Sequence, residues 1–295
     1  MAASITAGQS YGFFTDTSIC IGCKACEVAC KEWNQLSGNP PQFLDSYDNT
    51  GQLDAENWRH VRFLETVPPG DTISQPQNTD GGQAWLMMSD VCKHCAHASC
   101  MEVCPTNAII RTEFDTVFIQ QDVCNGCRNC ISACPYGVIG FSHETGTVHK
   151  CTLCYDRLQN NLEPACAKAC PTQSIQFGKL SDLQAHADAR LATLQSQGYS
   201  RAQLYGRDTQ VYGGLSAFFL LMDEPETYRL PKADQAVLPG RSDFGGYLGA
   251  FITAVFAVLG GLIAFRRRGE TQRQAAPPQA PPPPPPAPPS TEDNP

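Results

Sequence analysis

From His60 to Val67 apolar and polar residues alternate closely enough to predict a strand, and Trp85-Leu86-Met87-Met88 predicts a second. A polar loop from Pro68 to Gly82 separates them. Farther on, Ile109-Ile110 and Val117-Phe118-Ile119 flank a polar turn, the pattern of a hairpin. Val138-Ile139-Gly140-Phe141 and Val148, with a turn at Gly146, repeat it. The period then lengthens. Leu180, Leu183, Ala187, Leu191 and Leu194 share one face at helical spacing, with Ser181 placed to cap the start and Gly198 to end it. This predicts a helix over 180–198 that packs on what precedes it. Residues 199–243 are loop-rich, with Phe218 to Met222 the strand-like run among them.

The 22 residues from Phe244 to Phe265 carry no charge. As a helix they reach ~33 Å, enough for a hydrocarbon layer of ~30 Å. Five glycines would be costly in a buried soluble helix. In a membrane, Gly245, Gly249, Thr253, Ala257 and Gly261 instead form a stripe of small residues for a neighbouring helix. A single transmembrane helix is therefore expected. Arg266-Arg267-Arg268 follows and, by the positive-inside rule, puts the C-terminus in the cytoplasm and the head outside, although Arg229, Lys232 and Arg241 stand at the other end. The tail to Pro295 holds 11 of the 23 prolines and reads as polyproline-type chain with no catalytic role. Met1 to Phe14 has neither a basic residue nor a long apolar run, so no secretory signal is expected there. An exported head would then travel with a partner bearing its own signal.

A length of 295 residues suits one large domain or two small ones, and a net charge of −8 offers no basic footprint for nucleic acid. The 16 cysteines change the picture. Cys124-x2-Cys127-x2-Cys130-x3-Cys134-Pro135 is the run that wraps a 4Fe–4S cluster in bacterial-type ferredoxins. Three thiolates line a tight loop; the fourth, on the following helical turn, points away to a second cluster. Pro135 stops that turn. Cys20-x2-Cys23-x2-Cys26-x3-Cys30 repeats the run without the proline. Cys92-x2-Cys95-x4-Cys100-x3-Cys104-Pro105 adds two residues, and Cys151-x2-Cys154-x11-Cys166-x3-Cys170-Pro171 adds a long excursion. These motifs I to IV, in the chain order 20–30, 92–104, 124–134 and 151–170, use every cysteine. Disulfides suit short secreted scaffolds, and zinc sites use two separated pairs, so neither matches three thiols at successive x2 steps. Spacing alone leaves open whether motif I pairs with II and III with IV, or I with IV and II with III.

Lys24, Lys93, Arg128 and Lys150 adjoin ligands and could raise cluster potentials, though the ordinary reading of each is a solvated charge. Trp33, Trp58 and Trp85 are expected to pack over the cluster core. Lys31 to Leu36 should continue the turn after Cys30 as a short helix, ended by Gly38-Asn39-Pro40-Pro41.

Three segments carry a family resemblance: Gly12-Phe-Phe-Thr-Asp-Thr17 with Cys20-Ile-Gly-Cys-Lys-Ala-Cys-Glu-Val-Ala-Cys-Lys-Glu-Trp-Asn34, His149-Lys-Cys-Thr-Leu-Cys-Tyr-Asp-Arg157, and Glu163-Pro-Ala-Cys-Ala-Lys-Ala-Cys-Pro-Thr172. With the single C-terminal helix, residues 12 to about 265 resemble the iron–sulfur β subunit of membrane-bound respiratory formate dehydrogenases, within the four-cluster electron-transfer subunits of molybdopterin oxidoreductases. The resemblance implies an α+β fold of two ferredoxin-like double-cluster modules, four 4Fe–4S clusters, and nested pairing of I with IV and II with III. The ligand sets are then Cys20, Cys23, Cys26 and Cys170; Cys30, Cys151, Cys154 and Cys166; Cys92, Cys95, Cys100 and Cys134; and Cys104, Cys124, Cys127 and Cys130. The chain should divide into a cluster region over 1–179 with an insert at 42–91, an extension over 180–243, the helix 244–265 and the tail 266–295. It implies a non-catalytic conductor between a molybdenum- or tungsten-pterin subunit oxidising formate and a membrane cytochrome b subunit reducing quinone. The corresponding subunit of a hydrogenase or sulfur-compound reductase shares the cysteine motifs. An iron–sulfur redox sensor is the rival from another class, without a DNA-binding pattern to support it.

Overall fold

Tyr11–Asp16 forms strand β1, buried along its whole length in the computed structural model, which describes residues 4–38, 47–48, 50–65, 85–232 and 243–275. The expected loop from Pro68 to Gly82, the stop at Pro40 and Pro41, and the tail from 276 lie outside the described residues. The chain divides into two units, Met1–Pro239 and Gly240–Pro295.

In the first unit, motif I carries helix α1 (Ala25–Asn34) and is followed by strands β2 (Arg59–Glu65) and β3 (Trp85–Val91). These two pair antiparallel, with Arg59 opposite Val91 and Glu65 opposite Trp85. Motif II carries α2 (Ser99–Glu102) and precedes the hairpin of β4 (Ile109–Arg111) and β5 (Val117–Ile119). Motif III carries α3 (Asn129–Ala133) and precedes the smaller hairpin of β6 (Gly140–Phe141) and β7 (Val148–His149). Motif IV spans α4 (Tyr155–Gln159) and α5 (Ala165–Lys168). Then come β8 (Ile175–Lys179), α6 (Leu180–Ser196), β9 (Gln203–Tyr205) and β10 (Ala217–Leu221).

Four of these strands make one sheet in the order β8-β1-β10-β9. β1 runs antiparallel to β8 and parallel to β10, with Phe13 opposite both Phe177 and Ala217. All four cysteine motifs lie in the crossover between the parallel pair. The sheet separates two apolar cores. Tyr11, Phe13, Ile175 and Ala217 face a core that includes buried Cys26, Cys92, Cys130, Cys151 and Cys166. Phe14, Phe218 and Phe219 join Leu183, Ala187 and Leu194 of α6 in the second. Fully burying each of these large side chains stabilises the fold by about 1.5–3 kcal/mol.

Of this sheet the sequence pattern predicts only β10, from the run Phe218 to Met222; β1 is buried on both faces and shows no alternation. α6 starts at Leu180 with Lys179 at its cap and no side-chain capping bond. Ser181 instead bonds Asp182 Oδ1 at 3.1 Å, so it is not the expected cap. Gly198 does close the helix, at φ 95°. Of the three tryptophans only Trp58 packs on the cysteine-rich core, its Nε1 donating to Ala55 O at 2.7 Å. Trp33 and Trp85 are 43% and 45% exposed. Trp33 is held outward by a 2.8 Å bond to Asp156 Oδ2 and by Arg157 over its ring, and Trp85 meets Tyr47 and Phe63 in tilted ring contacts.

The second unit contains α7 (Asp243–Ala275), of which Tyr247–Thr271 is the one helix among the described residues long and apolar enough to cross a membrane. Its mean hydropathy is 2.4. The helix does not stop at Phe265 as expected. Arginine is a good helix former, and Arg266 reaches Glu270 one turn on.

Candidate metal centres

Each motif bends in the same way. The residue before the second cysteine lies in the left-handed region: Gly22 (φ 64°), His94 (45°), Gly126 (69°) and Leu153 (57°). Such a bend turns backbone N–H groups into the loop, as in anion-binding nests. Accordingly, Leu153 N lies 3.3 Å from Cys151 Sγ, and Gly22 N–H donates to Cys20. The third cysteine then sits on a helix: Cys26 in α1, Cys100 in α2, Cys130 in α3 and Cys166 in α5. In motifs II to IV that helix is four or five residues long and ends before Cys104-Pro105, Cys134-Pro135 and Cys170-Pro171. Motif I lacks the proline, and α1 runs through Cys30 to Asn34 before Gln35 turns left-handed. The helix expected after Cys30 is therefore the end of α1.

Tertiary packing brings α1 against α5 and α2 against α3. Cys20, Cys23, Cys26 and Cys170 line one small cavity. Cys92, Cys95, Cys100 and Cys134 line another. Cys104, Cys124, Cys127 and Cys130 line a third. Cys30, Cys151, Cys154 and Cys166 are all buried, and the Cys30 thiolate is opposed by the other three. The groups follow one another in a row. Cys26 of the first feels Cys166 of the second, Cys151 of the second feels Cys92 of the third, and Cys100 of the third feels Cys130 of the fourth.

All 16 cysteines are free thiols. Burial, reinforced by neighbouring thiols, pushes Cys151 and Cys154 up to about 12 and Cys30 well above its usual value. Such crowding disfavours bare thiolates and suits a site that supplies positive charge, as metal ligation does. Iron clusters take four thiolates each, which is the donor set present. A second observation also fits. His94 Nδ1 accepts from Val117 N at 3.0 Å, so the ring proton sits on Nε2, which is buried without a partner. His94 lines the cavity of Cys92, Cys95, Cys100 and Cys134, where cluster sulfur would accept that proton.

Lys93 and Lys150 are not solvated charges, being 1% and 2% exposed. Lys93 pairs with Asp90 and lies over the rings of Tyr136 and Phe219. Against the upward push of burial, Lys93 and then Arg62 hold Asp90 down at about 2. Lys150 Nζ donates to the carbonyls of Val117 and Cys151, the latter at 3.0 Å. Arg128 is exposed and stacks 3.8 Å from the Phe141 ring centroid. Lys24 pairs with Glu27 at 3.8 Å. A further cation, Arg59, is buried among the thiols. No spacing rule points to it, because it lies far from every cysteine in sequence.

Residues 19–108 and residues 83–180 each match the 4Fe-4S dicluster domain family. The formate dehydrogenase iron-sulfur subunit of Haemophilus influenzae is 40% identical over 225 residues, 75% of this chain and 68% of that one. The nitrate-inducible formate dehydrogenase iron-sulfur subunit of Escherichia coli is 35% identical over 257 residues, 83% of each chain. The formate dehydrogenase-O iron-sulfur subunit of the same organism is 38% identical over 216 residues, 72% of this chain and 68% of that one.

Proposed function

Because the chain belongs to the family of formate dehydrogenase iron–sulfur subunits, electron-transfer subunits of an oxidoreductase complex, we propose that it holds four 4Fe–4S clusters in series. They connect a molybdenum- or tungsten-pterin subunit that oxidises formate with a membrane cytochrome b subunit that reduces quinone. One-electron exchange is the chemistry the clusters supply. The observation that carries the reading is the row of four cysteine quartets, three of them lining cavities of their own. It supports the crossed ligation, in which each motif lends its fourth cysteine to the partner motif: Cys170 to the first site, Cys30 to the second, Cys134 to the third and Cys104 to the fourth.

The protein's own residues prepare these sites. Left-handed turns aim N–H groups at the thiols; the second quartet is buried throughout, while the third buries Cys92 and leaves its other three thiols half-buried. Cys23 and Cys127, one in each outer quartet, are exposed. Electrons enter and leave at these ends, because short distance to a partner matters most there. α7 is the membrane anchor, with Arg266-Arg267-Arg268 on the cytoplasmic side and the cluster unit outside.

Anaerobically purified protein should contain roughly sixteen irons per chain, four per cluster. Iron near half that value, or stoichiometric zinc, would refute four clusters. Protease added to intact spheroplasts should digest the cluster unit and spare the arginines; the opposite pattern reverses the topology.

A further inference from the structure

Arg59, at the start of β2, is 2% exposed. Its Nη2 donates to Cys166 Sγ at 3.2 Å. Its Nη1 donates to Ser89 O and Oγ at 3.4 and 3.3 Å. Ser89 Oγ lies 3.2 Å from Cys26 Sγ. Since the hydroxyl accepts from the guanidinium, its own proton is free to point at Cys26. Arg59 Cζ lies over the Phe13 ring, 4.7 Å from its centroid.

A buried guanidinium is costly without a countercharge. Among the described residues Arg59 has no carboxylate partner. Arg62, on the same strand, takes Asp90 at 2.7 Å, and Asp90 is shared with Lys93. What surrounds Arg59 is sulfur: Cys166 and Cys26, then Cys151 and Cys30. These belong to two different quartets.

We infer that Arg59 is a positioning cation shared by the first two cluster sites, bonded directly to Cys166 of one and through the Ser89 hydroxyl to Cys26 of the other, and that it raises the reduction potential of both. The inference rests on the four-cluster reading. A reduced cluster carries one more negative charge than its oxidised form, so a fixed cation and N–H···S or O–H···S bonds favour reduction. One charge serving two sites moves their potentials together, which leaves the step between them largely unchanged.

The test uses the full iron-loaded protein, with iron per chain and the four midpoint potentials read by electron paramagnetic resonance during redox titration. The two sites are identified by the signals lost in Cys23→Ser and Cys30→Ser. Arg59→Met should retain its iron and lower both of those midpoints, each by at least tenfold in reduction constant, about 59 mV for one electron. The other two midpoints should stay in place. Arg59→Lys should recover part of the shift. Ser89→Ala should lower only the site of Cys20, Cys23, Cys26 and Cys170, and by less. Unchanged midpoints in Arg59→Met with iron intact, or an equal shift at all four sites, overturn the inference. If Arg59→Met loses iron, Arg59→Lys and Ser89→Ala decide: no shift in either, or equal movement of both sites in Ser89→Ala, overturns it. Wild-type iron near half of the expected value would instead refute the four-cluster reading.

Discussion

The two inner quartets and the two outer ones are built on one motif but enclosed differently. Cys30, Cys151, Cys154 and Cys166 are buried without exception, and the adjoining Cys92 quartet has no exposed thiol. Buried cations stand at the joins: Arg59 between the first and second quartets, and Lys150 beside the second and third. The outer quartets instead show Cys23 and Cys127 to solvent. The nearest cations there, Lys24 and Arg128, are anchored at the surface, one by Glu27 and the other on Phe141. Spacing within a motif thus sets how its first three thiols converge, packing between motifs brings a fourth beside them, and enclosure sets the dielectric and charge around each group.

The strongest way to break this comparison is to remove a ligand from each class. Cys30→Ser should cost the inner site of Cys151, Cys154 and Cys166, roughly four irons, and weaken the fold around it. Signals of the Cys20, Cys23 and Cys26 site should survive. Cys127→Ser should cost the outer site alone and leave a folded protein. Iron assay and electron paramagnetic resonance read both, and equal damage from the two would remove the distinction between inner and outer.

The next effect lies in the cations. Lys150→Met strands two buried carbonyls, those of Val117 and Cys151, at about 1–3 kcal/mol for each unmet group. Arg128→Ala loses an exposed stacking contact worth about 0.5–1 kcal/mol. Anaerobic thermal unfolding should show a large drop for Lys150→Met and a small one for Arg128→Ala. Similar losses would mean that burial at the joins is not what distinguishes the two cations.

The smallest effect separates the outer ends from each other. Gly126→Ala forces a side chain into the left-handed region, costing about 1–2 kcal/mol, and sets its Cβ 2.3 Å from the Gly146 carbonyl oxygen. Gly22→Ala meets the same backbone cost, but its contacts at 2.6 Å are Met87 Sδ and the Phe63 ring edge, side chains that can move. Iron should be lost faster on chelator challenge from Gly126→Ala than from Gly22→Ala, and the reverse order would show that Met87 and Phe63 are the stiffer neighbours.

Much of the fold was readable from local pattern. The hairpins at 109–119 and 140–149, the β2–β3 pair and α6 all stand close to where alternation or helical period put them. The strand β1 was not readable. Its partners are Ala217 to Leu220 on one side and Ile175 to Lys179 on the other, and its residues are buried on both faces, so neither alternation nor a neighbouring turn marks it. Trp33 and Trp85 misled for a related reason. A large aromatic suggests burial, yet partners elsewhere in the chain, Asp156 and Tyr47, hold these two at the surface.

By itself, then, the sequence determined the iron chemistry, the proline stops after three of the four motifs, and the apolar length of α7. Each of these depends on residues within a few positions of one another, where backbone sterics and ligand spacing act directly. Tertiary structure alone decided that Lys93 and Lys150 are buried and that Arg59 lies against Cys166, 107 residues away. Burial and charge compensation belong to neighbours in space, and a chain records such neighbours only once it has folded.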